Sequence, residues 1–465
     1  MSEKKHKERR RKERAKKEEP KVNKISDVKM AYIMYGKKVF VIPIVIAIIL
    51  GAIIWGIVYN ARKDNAPQET ADNEKEQINY IWGEIKPGKK NDNNYTTVTS
   101  SDGVKVPVPT GYTASSASDE NSVNGGFVIY EGTDAVTDSN KWEAQCNRNQ
   151  YVWIPIADVS DMYWRDQTTG KKYGTRYTFS SSAYTKDSTS KREPQTTSRD
   201  IQSTYLTQYL NGMSREDFLM EMEIDFDKML NSVATYGGYY IGRYQTGDLS
   251  QATPVVKRMN EDLGYQNWWQ MWKKARKLTG TSAGVQMIWG IQWDETLKWL
   301  IDSGAKTYSE IASDSQSWGN YKNNSFTYYT NTSKSTSTKS PRAEIRIPSG
   351  AYEGANANNV FDLAGNVRDW TCESNGSGTG YGRYYRGGSY DTYGSSCPAA
   401  YRESSDGLRQ QLLHRVTCSH VHQITHLPQL KPLQLYVSRS TPYHAIIHSQ
   451  VPSKQVNIGN VRNFV

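Results

Sequence analysis

Acid–base, nucleophilic and metal chemistry need histidines, cysteines and carboxylates at set spacings, and this sequence distributes them unevenly. Six of its seven histidines fall in the last 59 residues, and the seventh is His6. Residues 39–406 therefore offer no histidine as a general base or triad member. No P-loop or dinucleotide-binding glycine fingerprint occurs either. HVHQITH at 420–426 has imidazoles close together, but no Asp or Glu follows Asp406 to orient them as ligands. Four cysteines in 465 residues exclude a disulfide-built scaffold. The densest chemistry-bearing text is NNVFDLAGNVRDWTCES (358–374) followed by YYRGGSYDTYGSSCPAAYRESS (384–405), which together carry carboxylates, two thiols and paired glycines. Tyr384, Tyr385, Tyr390 and Tyr393, interleaved with Gly and Ser, have the composition of a recognition surface and are candidate ligand-binding residues for a carbohydrate or protein.

Charge divides this text from its flanks. The chain carries a formal net charge of +10. Residues 1–38 hold 15 Lys/Arg against 6 Asp/Glu, and residues 407–465 hold 6 Lys/Arg and no acid. The stretch between them is net acidic, so no nucleic-acid partner is expected from the basic pI. The mean hydropathy of −0.74 excludes a polytopic membrane protein. With 13 Trp and 32 Tyr the chain has the residues to build a packed core.

Val39 to Tyr59 is uncharged across its whole length, long enough for a hydrocarbon core of about 30 Å. It is expected to be a single transmembrane helix and uncleaved signal anchor. The basic arm 1–38 then lies in the cytoplasm, and the rest outside a plasma membrane. Residues 60–98 read as a linker, and 99–406 as one extracellular domain. Within it, Ser/Thr-rich stretches at 165–205 and 305–345 read as surface insertions. The tail 407–465 differs in composition and reads as a frameshifted or unstructured segment.

Local patterns fill in the domain. GGFVIYEG and NQYVWIPIADV alternate as short strands do. Ser214 and Asp217 form a helix-start signature, with Phe218, Met222, Phe226, Met229 and Val233 recurring at spacings of three and four before Gly237-Gly238. A strand is expected at 239–247, a helix with Trp268, Trp272 and Ala275 on one face, and a third helix over 293–304 closed by Gly304.

VWIP, GGYYIGRYQTG, FDLAGNVRDW and YRGGSY, in this order, resemble the formylglycine-generating, sulfatase-modifying-factor family. The resemblance is diffuse over about 150–405 and sharp in 236–247 and 358–402. It implies an α+β fold, C-type-lectin-like, with much irregular structure, here preceded by the transmembrane helix. Carried over to this sequence, the family's second calcium site falls on the Asp362 side chain, the carbonyls of Gly365 and Val367, and the side chain of Asp369, all hard oxygen donors. The alternative for Asp369 is a buried ion pair with an Arg. The family's catalytic copper uses two thiolates separated by four residues. The second position is Cys397, and the first falls near Thr392, whose hydroxyl is a poor ligand for Cu(I). Ser389 matches the family's active-site serine and also suits a tight turn. Cys372 could meet Cys397 through folding, as a disulfide is permitted outside the cell. Calcium is thus the expected cofactor and copper is not. The function expected is a binding or recognition module without oxidase activity, with Cys397 and Ser389 as vestiges. The alternative is a formylglycine-generating oxidoreductase acting on sulfatase cysteines.

Overall fold

The computed structural model describes residues 95–419, apart from 196–200, 202, 249–250, 252, 262–264, 279–283, 376–381, 406–410 and 413–415. Its largest sheet has six antiparallel strands in the order Gly284–Met287, Val416–Ser419, Gly238–Gly242, Gln150–Pro155, Val128–Glu131, Tyr112–Ala114. The GYYIG strand is buried along its length, and Tyr240 pairs Trp153 on one side and Cys418 on the other. A three-stranded sheet, Asp369–Ser374, Arg383–Arg386, Arg402–Ser405, carries the 358–405 text.

Helix Arg215–Tyr236 starts where Ser214 accepts a hydrogen bond from the Asp217 N–H and stops at Gly237, whose φ of 81° is left-handed. Its Phe218, Met222, Phe226, Met229 and Val233 are all buried. Each such burial contributes about 1.5–3 kcal/mol, enough to order a helix that isolated propensity would not. Helix Trp268–Ala275 is fixed by Trp268, whose indole N–H donates to the Thr371 carbonyl at 2.7 Å. The third helix begins earlier than its sequence pattern suggests, spanning Gly290–Asp302, and is buried nearly all round.

A buried ion lattice joins that helix to the three-stranded sheet. Asp294 accepts from Arg386 and, at 2.7 Å, from Arg402. Glu373 lies 3.0 Å from Arg402 Nε and 3.7 Å from Arg176 Nε. Glu193 closes the lattice by accepting the backbone N–H groups of Gly290 and Ile291, at 2.7 and 2.6 Å, at the helix start.

Three expectations are corrected. Among the described residues no helix is long and apolar enough to cross a membrane. Arg215–Tyr236 is long, yet it carries charged residues opposite its apolar stripe and packs on the sheet. The segment 39–59 lies outside the described residues. The transmembrane helix in the expected fold class therefore has no support. Nor have the signal anchor, membrane partner and single-pass plasma-membrane localisation that depend on it. Second, the Ser/Thr-rich stretches are not wholly peripheral. The first supplies Glu193, Tyr177 and Lys172, the last paired with Asp227 at 2.6 Å in the interior, and the second supplies Trp318, Tyr321 and Lys339. Third, part of the tail read as frameshifted or unstructured belongs to the largest sheet. Val416–Ser419 is an interior strand, bonded to Gly238–Gly242 and to Gly284–Met287. A backbone ladder accepts almost any sequence, so composition did not reveal it.

Ending the chain at Arg415 removes the strand that bridges Gly238–Gly242 and Gly284–Met287, and cooperative unfolding in a urea titration is expected to be lost. Stability should also depend on pH. Burial and the nearby Glu373 push the Glu193 carboxyl up to about 8 from 4.5. Burial pushes Glu295 up to about 7 and Asp227 up to about 6. Between its ordinary and raised values each group holds a proton in the folded chain that the unfolded chain has released. Their contribution is thus complete below about 4 and is lost as pH rises to about 8. Urea midpoints are expected to fall across that window, and Glu193→Gln to flatten the upper part of the fall.

Candidate functional site

The described residues of 360–402 gather round a turn that requires glycine. Gly365 has a φ of 73°, and a Cβ there would lie 2.4 Å from the Asn320 carbonyl. Gly388 has the Cys397 carbonyl and the Tyr321 ring each 2.4 Å from where its Cβ would be. Tyr321 donates its hydroxyl to that same Cys397 carbonyl at 2.9 Å. Paired glycines thus let the 386–389 backbone press against the 397 turn, with a tyrosine from the 305–345 stretch as the wedge.

Cys397 is buried, and its thiol has the Thr392 hydroxyl and the Arg368 guanidinium as hydrogen-bonding neighbours, with Glu403 close by. Burial pushes the thiol up and Arg368 opposes this, leaving a net rise. It is therefore held as S–H, not as a nucleophilic thiolate. Thr392 ties the turn together. Its hydroxyl accepts from the Ser389 N–H at 3.0 Å and donates to the Ser389 carbonyl at 2.9 Å. Ser389 donates its own hydroxyl to Asp391. Tyr385 and Tyr401 both donate to the Glu403 carboxylate behind the thiol.

Cys372 does not join this site. Its thiol faces the Met287 carbonyl at 3.5 Å, with Arg276, Glu193 and Arg383 around it, and burial pushes it far up. Cys146, Cys372 and Cys397 are all free thiols. The surroundings of Cys372 and Cys397 share no charged neighbour.

The four tyrosines separate. Tyr384 and Tyr385 are buried in the Arg383–Arg386 strand, every residue of which is covered. They are core residues, which corrects their reading as surface ligand contacts. Tyr390 is half-buried and Tyr393 is 44% exposed. Around Tyr393 lie Lys322, its ammonium 6.0 Å from the ring centroid, and Asp391 next along the loop from Tyr390. Among the described residues, hollows in the surface lie beside Tyr95, Lys105 and Tyr236 (about 460 Å³) and beside Tyr328, Thr330 and Arg346 (about 300 Å³).

The expected oxygen cage is assembled differently from a metal site. The Gln245 side-chain nitrogen lies 2.5 Å from the Val367 carbonyl, 3.2 Å from Asp369 Oδ2 and 3.3 Å from the Asp362 carbonyl. The Asp362 carboxylate is turned toward the Ser349 hydroxyl and the Gly350 N–H, at 2.9 and 2.8 Å. A calcium ion needs roughly six to eight oxygens at about 2.3–2.6 Å around one point. Here a donor nitrogen faces two of the four expected ligands, so the residues as arranged do not fit the ion. Among the described residues no group of three or more His, Cys, Asp or Glu side chains is arranged to hold a metal. Gln245 escaped the sequence reading, although it stands in the sharpest motif text, GRYQTG. An amide carries no charge to mark it as a site residue.

No family model matches the chain, and no curated protein matches it.

Gly388→Ala is expected to lower stability by about 1–3 kcal/mol, the usual range for forcing atoms into a filled core. The same change should raise the rate at which Cys397 reacts with an aromatic disulfide reagent, because the 386–397 turn must open to admit the methyl group. Urea midpoints and thiol-release kinetics check the two halves.

Proposed function

We propose that this chain is a recognition module on a sulfatase-modifying-factor-like scaffold, without copper-dependent oxidase activity. The observation that supports this most directly is the neighbour of Cys397. At the place where the family's chemistry needs a second thiolate stands Thr392, a hard hydroxyl engaged in holding a turn. One soft ligand does not hold Cu(I) in the near-linear two-sulfur geometry that activates oxygen.

The ligand surface is then the outer face of the same loop. Tyr393 offers an exposed ring, flanked by Tyr390, Asp391 and the Lys322 ammonium. An aromatic face with charged and polar groups at its rim suits a carbohydrate or a polar protein surface.

Two measurements test the proposal. The purified protein, given Cu(I), oxygen and a peptide bearing a sulfatase cysteine motif, is expected to leave the cysteine unchanged. An aldehyde detected by mass spectrometry would overturn the reading. Thr392→Cys supplies the missing sulfur and is expected to gain Cu(I) binding in competition with a chromogenic chelator, while the wild type shows none. For the ligand face, Tyr393→Ala is expected to abolish any glycan-array signal given by the wild type, with the urea midpoint unchanged.

A further inference from the structure

Gln245 is fully buried, and its amide orientation is fixed by a backbone donor two links away. The Ile347 N–H donates to Asn366 Oδ1 at 3.2 Å, and Asn320 Nδ2 donates to the same oxygen at 3.1 Å. A backbone N–H is a donor without ambiguity, so that Asn366 atom is the oxygen and its NH₂ faces the other way. That NH₂ donates to Gln245 Oε1 at 3.1 Å. The Gln245 NH₂ must then be the group that faces the carbonyls of Val367 and Asp362 and the Asp369 carboxylate.

Three acceptors converge on a nitrogen with two hydrogens. One of the three is the buried Asp369 carboxylate, and the other two are backbone carbonyls. Such a concentration of oxygen and negative charge is what a hard cation selects, and here a neutral amide stands at its centre.

We propose that the Gln245 amide is a resident substitute for a divalent cation. The fold of this chain is independent of calcium, and removing the amide frees the carbonyls of Asp362 and Val367 and the Asp369 carboxylate to take the ion. Gln245 lies in the interior, whereas the proposed ligand face is the Tyr393 loop, so the substitution holds whatever the recognition ligand is.

The test uses the whole chain and calcium itself. Thermal midpoints are compared in millimolar Ca²⁺ and in EDTA for the wild type, Gln245→Ala and Gln245→Glu. The wild type is expected to give the same midpoint in both. Gln245→Ala is expected to melt lower in EDTA and to recover by several degrees in Ca²⁺. Gln245→Glu, which adds a second buried carboxylate, is expected to show the larger Ca²⁺ shift. A wild-type midpoint that rises in Ca²⁺ would overturn the proposal, since an ion would then displace the amide. A destabilised Gln245→Ala that ignores Ca²⁺ would overturn it equally. Should the variants fold too poorly to melt, refolding yield with and without Ca²⁺ replaces the midpoint, and a yield unmoved by the ion counts against the proposal. Tb³⁺ luminescence sensitised by the wild-type aromatics is the independent check: its absence agrees with a filled site, and a saturable signal lost on Asp369→Asn refutes it.

Discussion

Asp294 is the point on which the arrangement of the interior depends. Its carboxylate takes two guanidinium groups, from Arg386 and Arg402, and the Tyr177 backbone N–H at 2.9 Å. The helix Gly290–Asp302, two strands of the three-stranded sheet and the 165–205 stretch are thereby tied to one buried atom pair. Desolvating such charges is costly, and a well-packed apolar substitute is often as stable. What the lattice provides instead is directionality. A guanidinium meets a carboxylate in few geometries, whereas apolar side chains slide. With Arg386 held, Gly387 and Gly388 follow at a fixed place, and the 388–397 turn is set against Tyr321. Removing one partner alone leaves a buried charge uncompensated, at a cost of about 3–5 kcal/mol.

Elements governed by local rules were legible in the sequence. Helix Arg215–Tyr236 follows from a cap, a stripe at spacings of three and four, and a glycine stop. The start of the strand at Gly238–Gly242 and the turn glycines 365, 387 and 388 follow from the same kind of local text, whereas the end of that strand at Gly242, short of the expected 247, does not. Contacts made across long separations were not legible. Glu193, Lys172, Tyr321 and Lys339 each sit in Ser/Thr-rich text whose average composition reads as solvated surface. A stretch needs only a few inward side chains to belong to the core, and averages erase them. The Arg383–Arg386 strand misled in the same sense. Tyrosines interleaved with Gly and Ser suggest an exposed face, yet the whole strand is covered.

The candidate site was partly legible for the same reason. Placing Thr392 beside Cys397 needed only the spacing within one loop, and the thiol does meet that hydroxyl. Arg368, Tyr401 and Glu403 gather round the thiol from beyond that loop, so its spacing did not predict them. Gln245 lies 117 residues before Asp362, whose carbonyl it faces, and nothing in its immediate text sets it apart from any strand-end amide.

Thr392 and Gln245 play the same structural part at two places. In each, a neutral hydrogen-bonding group ties together the backbone around it. The Thr392 hydroxyl both accepts and donates around Ser389, and the Gln245 amide both accepts from Asn366 and donates to Val367. A hydrogen-bonded side chain brings its own geometry and is covalently present at unit stoichiometry, whereas an ion must be captured from solution and is lost when its concentration falls. Turns held in this way are set by side chains of the chain itself. The backbone at 365 and at 386–397 is thereby fixed from within, and Tyr393, 44% exposed, stands on the outer side of the second turn.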